Sequence, residues 1–165
     1  DESYQPLNYE MIKEALEERF GGKWQIVIRL HNRLKKESRS WLNLLPSYVS
    51  DATFYEDMQE LLLCTDVGLT DYSSWIFDFV LSGKPGFIIE LNLEDYENAR
   101  GFYYPIDTTP FPIATSSEEL ADNIRKFDAE KYAKDKDVFL AARGCMEDGH
   151  ASERIVEKIN ELMAK

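Results

Sequence analysis

Between Leu7 and Leu91 the apolar pattern alternates between the three- and four-residue steps of a helix and the dense branched or aromatic runs of a strand. Leu7, Met11, Ile12, Ala15, Leu16 and Phe20 recur at helical steps, with Asn8 as an N-cap and Gly21-Gly22 as a left-handed stop. Trp24-Gln25-Ile26-Val27-Ile28-Arg29-Leu30 then reads as a strand. Tyr48 to Ser50 reads as a short second strand, and Tyr55 to Cys64 as a helix with Met58, Leu61 and Leu62 inward. Val67 to Thr70 is a strand and Ser73 to Leu81 a helix. Gly86 to Leu91 is another strand, reached through the turn Ser82-Gly83-Lys84-Pro85. Few folds accept this order. Strands separated by helices pair in parallel, and the crossover helices cover the faces of the sheet. Further on, Ser116-Ser117-Glu118-Glu119 is a capping box for a helix reaching about Phe127. Ala129 to Arg143 and Ala151 to Met163 follow as helices, the last carrying Ile155, Val156, Ile159 and Leu162. No repeat, low-complexity tract or linker divides the 165 residues, so the expectation is a single α/β domain.

Composition excludes several function classes. Hydrophobic residues at 44% and aromatics at 13% suffice for a core and exclude a disordered chain. A net charge of −12 argues against nucleic acid as a partner, because nonspecific affinity rests on Lys and Arg contacts to phosphate. No apolar run approaches the roughly 20 residues of a membrane span, so membrane association is expected to be at most peripheral. Asp1 to Pro6 lack a signal-peptide core, and without an initiator Met the chain reads as an excised domain or processed fragment. Cys64 closes the stretch Leu61-Leu62-Leu63 and reads as a buried free thiol. There is no CxxC, and only His31 and His150 could join a zinc site; the expectation is no metal, no cofactor and a reducing cytosol.

Ligands of an open parallel sheet gather at the carboxyl ends of its strands. Two polar clusters fall there: Arg29-Leu30-His31-Asn32, and Thr70-Asp71-Tyr72-Ser73-Ser74. A helix start presents free N–H groups to an anion, and Ser73 and Ser74 add hydroxyl donors without bulk. Asp78, four residues beyond Ser74, falls one turn along nearly the same face, where it could hold ribose hydroxyls. Set within Trp75-Ile76-Phe77-Asp78-Phe79-Val80-Leu81, it is expected to need such a partner, since an unpaired buried charge is costly. The alternative is that Asp71 or Ser73 only caps the helix while Asp78 pairs with a structural Arg or Lys. Arg29, Arg33, Lys35, Lys36 and Arg39 reverse the local sign of an acidic chain. Arg29 and His31, at alternate positions of a strand end, can both face a diphosphate. His150 reads as part of a helix start. Neither a dinucleotide-fold nor a P-loop glycine pattern is present.

Together these residues resemble a known family. Thr65-Asp66-Val67-Gly68-Leu69-Thr70-Asp71-Tyr72-Ser73-Ser74-Trp75-Ile76-Phe77-Asp78-Phe79 resembles the TDYSS-x-x-FD signature of the CDP-glycerol:poly(glycerophosphate) glycerophosphotransferases, which build teichoic acids. Lys84-Pro85, Asp95-Tyr96 and Arg100-Gly101-Phe102-Tyr103 follow in the family's order, as does Asp148-Gly149-His150-Ala151-Ser152-Glu153-Arg154-Ile155. Arg29-Leu30-His31 is similar to its R-x-H-P segment, with Asn32 in place of the proline. Thr108-Thr109-Pro110-Phe111-Pro112 also departs from the usual pattern.

The resemblance implies a Rossmann-like parallel sheet with helices on both faces, the C-terminal half of a GT-B fold. The N-terminal, acceptor-side half is expected to be absent. It implies a CDP-glycerol or CDP-ribitol donor and a polyol-phosphate acceptor, with the full enzyme peripheral at the inner face of the cell membrane. Arg29, His31, Ser73 and Ser74 would contact donor phosphates and Asp78 the ribose, with Leu30 also in the substrate site and His31 stabilising phosphate charge. Without an acceptor half to bring two substrates together, the chain alone is expected to be inactive as a transferase. Two other readings stay open on sequence alone: the donor domain of another GT-B glycosyltransferase or epimerase, and a noncatalytic domain that docks a partner through its acidic surface.

Overall fold

The computed structural model describes residues 7–30, 45–90 and 104–164. Helix α1 spans Tyr9–Phe20 and starts where the sequence places it, the Asn8 side chain accepting from the Met11 N–H at 3.2 Å. It stops at Gly21, whose φ of 73° is open to glycine without strain. Ile12, Ala15 and Leu16 form its buried stripe.

Five strands follow among the described residues, and all pair in parallel as expected. β1 (Ile26–Ile28) pairs with β2 (Val49–Asp51), Ile28 opposite Asp51. β3 (Gly68–Thr70), β4 (Gly86–Ile89) and β5 (Ile113–Ala114) form a second ladder in that order. The sequence pattern reads as one sheet, whereas the described strands form two ladders, β1–β2 and β3–β4–β5. The strands are shorter than expected, and no rung joins β2 to β3. The two-residue β5 had no strand-like run to announce it.

Helix α2 (Met58–Cys64) begins at the Asp57 cap, three residues later than the pattern indicates. It buries Leu62, with Met58 and Leu61 half-buried, and it leaves Leu63 and Cys64 exposed. The expectation of a buried Cys64 thiol is therefore corrected: the residue ends a helix that turns only one side to the protein. Helix α3 (Trp75–Phe79) is also shorter than expected and tightens into a 3-10 turn at Val80–Ser82. There the Ser82 hydroxyl donates back to the Phe79 carbonyl at 2.7 Å, and Gly83 ends the turn at a φ of 71°.

β4 is buried along its whole length and centres the core. Helix α4 (Ser117–Arg125) contributes Leu120, Ala121 and Ile124 and packs along α1. Its Ser116 cap accepts from the Glu119 N–H at 3.1 Å, while the Glu119 carboxylate takes the Thr115 N–H and hydroxyl at 2.8 and 2.9 Å. Those two bonds hold the Glu119 carboxyl below its ordinary range. Phe87, Phe111, Phe127 and Tyr132 fill the space between the sheet and α5 (Ala129–Ala142). Gly68 and Gly86 allow the closest approaches: a Cβ on Gly68 would lie 2.7 Å from the Phe79 ring, and one on Gly86 2.9 Å from Phe111.

Helix α6 (Ala151–Met163) lies where the sequence predicts it and buries no residue. Ile155, Val156, Ile159, Leu162 and Met163 are 49 to 81% exposed along one side of it.

Candidate functional site

The residues singled out by the sequence sit where strands end. A parallel ladder normally continues with alternate N–H and C=O groups of one strand bonding the next. β1 and β2 follow this rule up to the bond from Ala52 N–H to Ile28 C=O, at 2.7 Å. The following rung would run from Leu30 N–H to Ala52 C=O. Instead Leu30 N–H donates to the Thr53 hydroxyl at 3.2 Å, and Ala52 C=O accepts from Arg29 Nη1 at 3.3 Å. Arg29 Nη1 also donates to the Tyr55 carbonyl. Thr53 is fully buried, and its own N–H donates to Asp51 Oδ1 at 2.7 Å. The first cluster therefore has an arginine whose guanidinium is partly spent on its own scaffold. His31 lies outside the described residues, as do Asn32, Arg33, Lys35, Lys36 and Arg39.

The second cluster follows β3. Asp71 accepts from the Tyr72 N–H at 2.7 Å and so serves the loop rather than the helix. Ser74 occupies the cap position of α3 without a side-chain bond to the helix, and it is exposed; Ser73 is half-buried beside it. The capping alternative raised by the sequence for Asp71 or Ser73 therefore does not describe this helix start, whose cap position is Ser74 and carries no side-chain cap bond. Asp78 is exposed on the outer side of α3, because Ile76, Phe79 and Val80 take the inner side. The expected cost of a buried, unpaired carboxylate is thus corrected: the helix turns Asp78 out of the apolar run that surrounds it in sequence. Gln59 Nε2 of α2 reaches Asp78 Oδ2 at 3.4 Å.

Arg29 and Asp78 both engage the segment between β2 and the first turns of α2. Arg29 holds the Ala52 and Tyr55 carbonyls, Tyr55 donates its hydroxyl to Glu60 Oε2 at 2.6 Å, and neighbouring Gln59 touches Asp78. Sequence reasoning missed Thr53, Gln59 and Lys84 as parts of this framework. Thr53 had a faint signal, an Asp two residues earlier that favours a turn. Lys84 had none beyond its place in a motif. Its ammonium donates to the Leu63 and Thr65 carbonyls at 2.8 and 2.7 Å, closing the end of α2. Asp95, Tyr96 and the stretch 100–102 lie outside the described residues, and so does Tyr103.

The last motif is a structural latch. Arg154 grips both oxygens of Asp148 at 2.7 and 2.9 Å and the Met146 carbonyl at 2.8 Å, which holds the Asp148 carboxyl below its ordinary value. His150 precedes α6, as the sequence indicates, with Nδ1 3.0 Å from Glu153. No cluster of metal-ligating side chains occurs among the described residues. No helix among them is long and apolar enough to cross a membrane.

Comparison with known proteins identifies the kin of this framework. A teichoic acid glycerol-phosphate transferase of Staphylococcus aureus (strain NCTC 8325 / PS 47) is 32% identical over 161 residues, covering 95% of this chain and 40% of the relative. A teichoic acid ribitol-phosphate primase of Bacillus spizizenii is 29% identical, covering 96% of this chain and 39% of the relative. The chain thus spans about two-fifths of the length of these relatives. Among solved structures, a histidine-to-asparagine variant of the wall teichoic acid polymerase TagF superposes with a TM-score of 0.67 at 26% identity, covering 100% of this chain and 42% of its own. The same variant soaked with CDPG gives a TM-score of 0.68 over 93% of this chain. The superposition agrees with the fold class expected from the sequence, parallel strands flanked by helices. The sequence model of the CDP-Glycerol:Poly(glycerophosphate) glycerophosphotransferase family matches residues 2–161, and the chain belongs to that family.

Proposed function

We propose that this chain is the donor-binding part of a CDP-glycerol glycerophosphotransferase. It holds CDP-glycerol, or CDP-ribitol, while an acceptor-bearing partner domain supplies the polymer end. A hydroxyl oxygen of the polyol-phosphate acceptor attacks the phosphorus that carries the glycerol. The bond from that phosphorus to the bridging oxygen breaks, CMP leaves with the electron pair, and the acceptor proton passes to a base on the acceptor side. Such a transfer depends on positioning and on stabilising charge at the leaving phosphate more than on covalent help from the protein.

One observation supports the reading most directly. Ser74 at the carboxyl end of β3 has a hydroxyl uncommitted to capping, and Asp78 stands exposed one turn further on. In this reading Ser73 and Ser74 donate to the diphosphate and Asp78 accepts from the ribose hydroxyls. Arg29 and His31, with the Leu30 backbone between them, stabilise charge on the departing CMP phosphate. The full-length enzyme works at the inner face of the membrane, where its polymer is assembled, as a peripheral protein.

The test is NMR titration of the chain with CDP-glycerol, CDP and cytidine. Ser73→Ala combined with Ser74→Ala should weaken CDP more than cytidine. Asp78→Ala should weaken both equally, by about ten- to a hundredfold, the cost of a lost hydrogen bond to a charged group. Folded Asp78→Ala protein that binds CDP as the wild type does would overturn the site. Tighter binding of UDP than CDP would overturn the cytidine donor.

A further inference from the structure

The swap of partners at the end of the β1–β2 ladder has a purpose beyond ending a sheet. Leu30 directly follows Arg29, so whatever fixes its backbone sets where the Arg29 side chain starts. Its N–H is held by a side chain, the Thr53 hydroxyl at 3.2 Å, and that side chain is fully buried. Burial excludes water as a substitute acceptor and locks the rotamer of a β-branched residue. Thr53 is itself fixed by its N–H bond to Asp51 Oδ1, one residue beyond the last regular ladder bond of β2. With Leu30 held in this way, the Ala52 carbonyl is free for Arg29 Nη1. One hydroxyl therefore sets both the Leu30 backbone and the anchoring of the Arg29 guanidinium.

We infer that Thr53 is a positioning residue for the phosphate subsite, acting through Arg29 and Leu30 and touching no ligand itself. This rests on the reading of Arg29 and His31 as donor-phosphate contacts. Replacing the hydroxyl by a methyl group of the same shape keeps the packing and removes the acceptor. Leu30 N–H must then turn back to the Ala52 carbonyl, which displaces Arg29 and resets the strand end as a regular rung. The diphosphate should lose affinity, and the nucleoside, held from α3, should not.

The experiment compares Thr53→Val and Thr53→Ser with wild type in the full chain, titrated with CDP and with cytidine. Thr53→Val should lose about tenfold in CDP affinity, the lower end of what a lost charged contact costs, with cytidine affinity unchanged. Thr53→Ser, which keeps the acceptor, should restore CDP binding. Equal losses for CDP and cytidine in Thr53→Val would assign Thr53 a general structural role and overturn the inference, as would wild-type CDP binding by Thr53→Val. Should Thr53→Val fail to fold, Thr53→Ser decides: a CDP-to-cytidine affinity ratio below wild type in that folded variant overturns the inference, and an unchanged ratio sustains it. Failure of the underlying reading looks different, because wild type itself would then show no preference for CDP over cytidine.

Discussion

Lys84 carries a large and testable share of the order around α2. A helix leaves its last four carbonyls without internal partners, and here three of them are taken by named groups. Leu61 C=O accepts the Thr65 hydroxyl at 2.8 Å, Leu62 C=O accepts the Thr65 N–H at 3.2 Å, and Leu63 C=O accepts Lys84 Nζ at 2.8 Å. The same ammonium reaches the Thr65 carbonyl at 2.7 Å, so it ties the α2 terminus to the turn that feeds β4. Lys84→Met retains most of the stem and removes the charge. Hydrogen bonds to charged groups contribute about 1.5–3 kcal/mol each, but the exposed Leu63 carbonyl regains water. That leaves the part-buried Thr65 bond and a favourable charge at a helix C-terminus, together about 2 kcal/mol. For a chain of this size the melting temperature should fall by about 4–8 °C. Thermal and urea unfolding followed by the fluorescence of the three Trp residues measures it. Lys84→Arg should retain much of the stability, and Lys23→Met, at an exposed lysine, should change nothing. A Lys84→Met protein that melts with the wild type refutes the reasoning.

Gly68→Ala should destabilise by about 1–3 kcal/mol, because the new methyl meets the Phe79 ring at 2.7 Å and that ring is almost fully buried with no room to retreat; urea unfolding at neutral pH checks it. Alkali should expose a second weakness. Burial pushes the Tyr132 phenol up to about 12, so the folded protein holds this proton more tightly than the unfolded chain does. The stability it lends is complete below pH 10 and drains away as pH rises toward 12. Tyr132→Phe should flatten that decline, and denaturation midpoints across the window would show whether it does.

Much of the fold was legible in the sequence because helix punctuation here is chemical. Asn8, Ser116 and the pair Gly21-Gly22 mark the ends of α1 and α4 through side chains and backbone freedom that act locally. The bounds of α6 were equally plain. The sheets were harder to read, since a ladder depends on residues distant in the chain: β5 has two residues and exists because Ile113 and Ala114 lie against β4. In the candidate site, Ser73, Ser74 and Asp78 could be named because a strand-to-helix loop brings them close in sequence. Whether Asp78 faced the core or the outside could not, because Trp75 to Leu81 offers apolar neighbours on both sides and only packing on Gly68 and β4 fixes the rotation. Thr53 and Lys84 escaped notice for a related reason. Each binds backbone groups far along the chain, and backbone donors and acceptors leave no mark in a sequence.

Helix α6 lacks what holds the other long helices in place. An isolated helix of its 13 residues is marginal in water, and it adds no buried side chain to offset its ordering. Among the described residues its supports are the Arg154 grip on Asp148 and the Met146 carbonyl, the His150 contact with Glu153 and a Lys158–Glu161 pair, all on the surface. Its amides should therefore exchange with solvent deuterium through local opening, at a free energy well below that of global unfolding, while those of β4 wait for the whole molecule to open. The exchange pattern would divide the chain into a slow core, built of α1, β4 and α4, and a fast C-terminal helix that melts and re-forms without disturbing it.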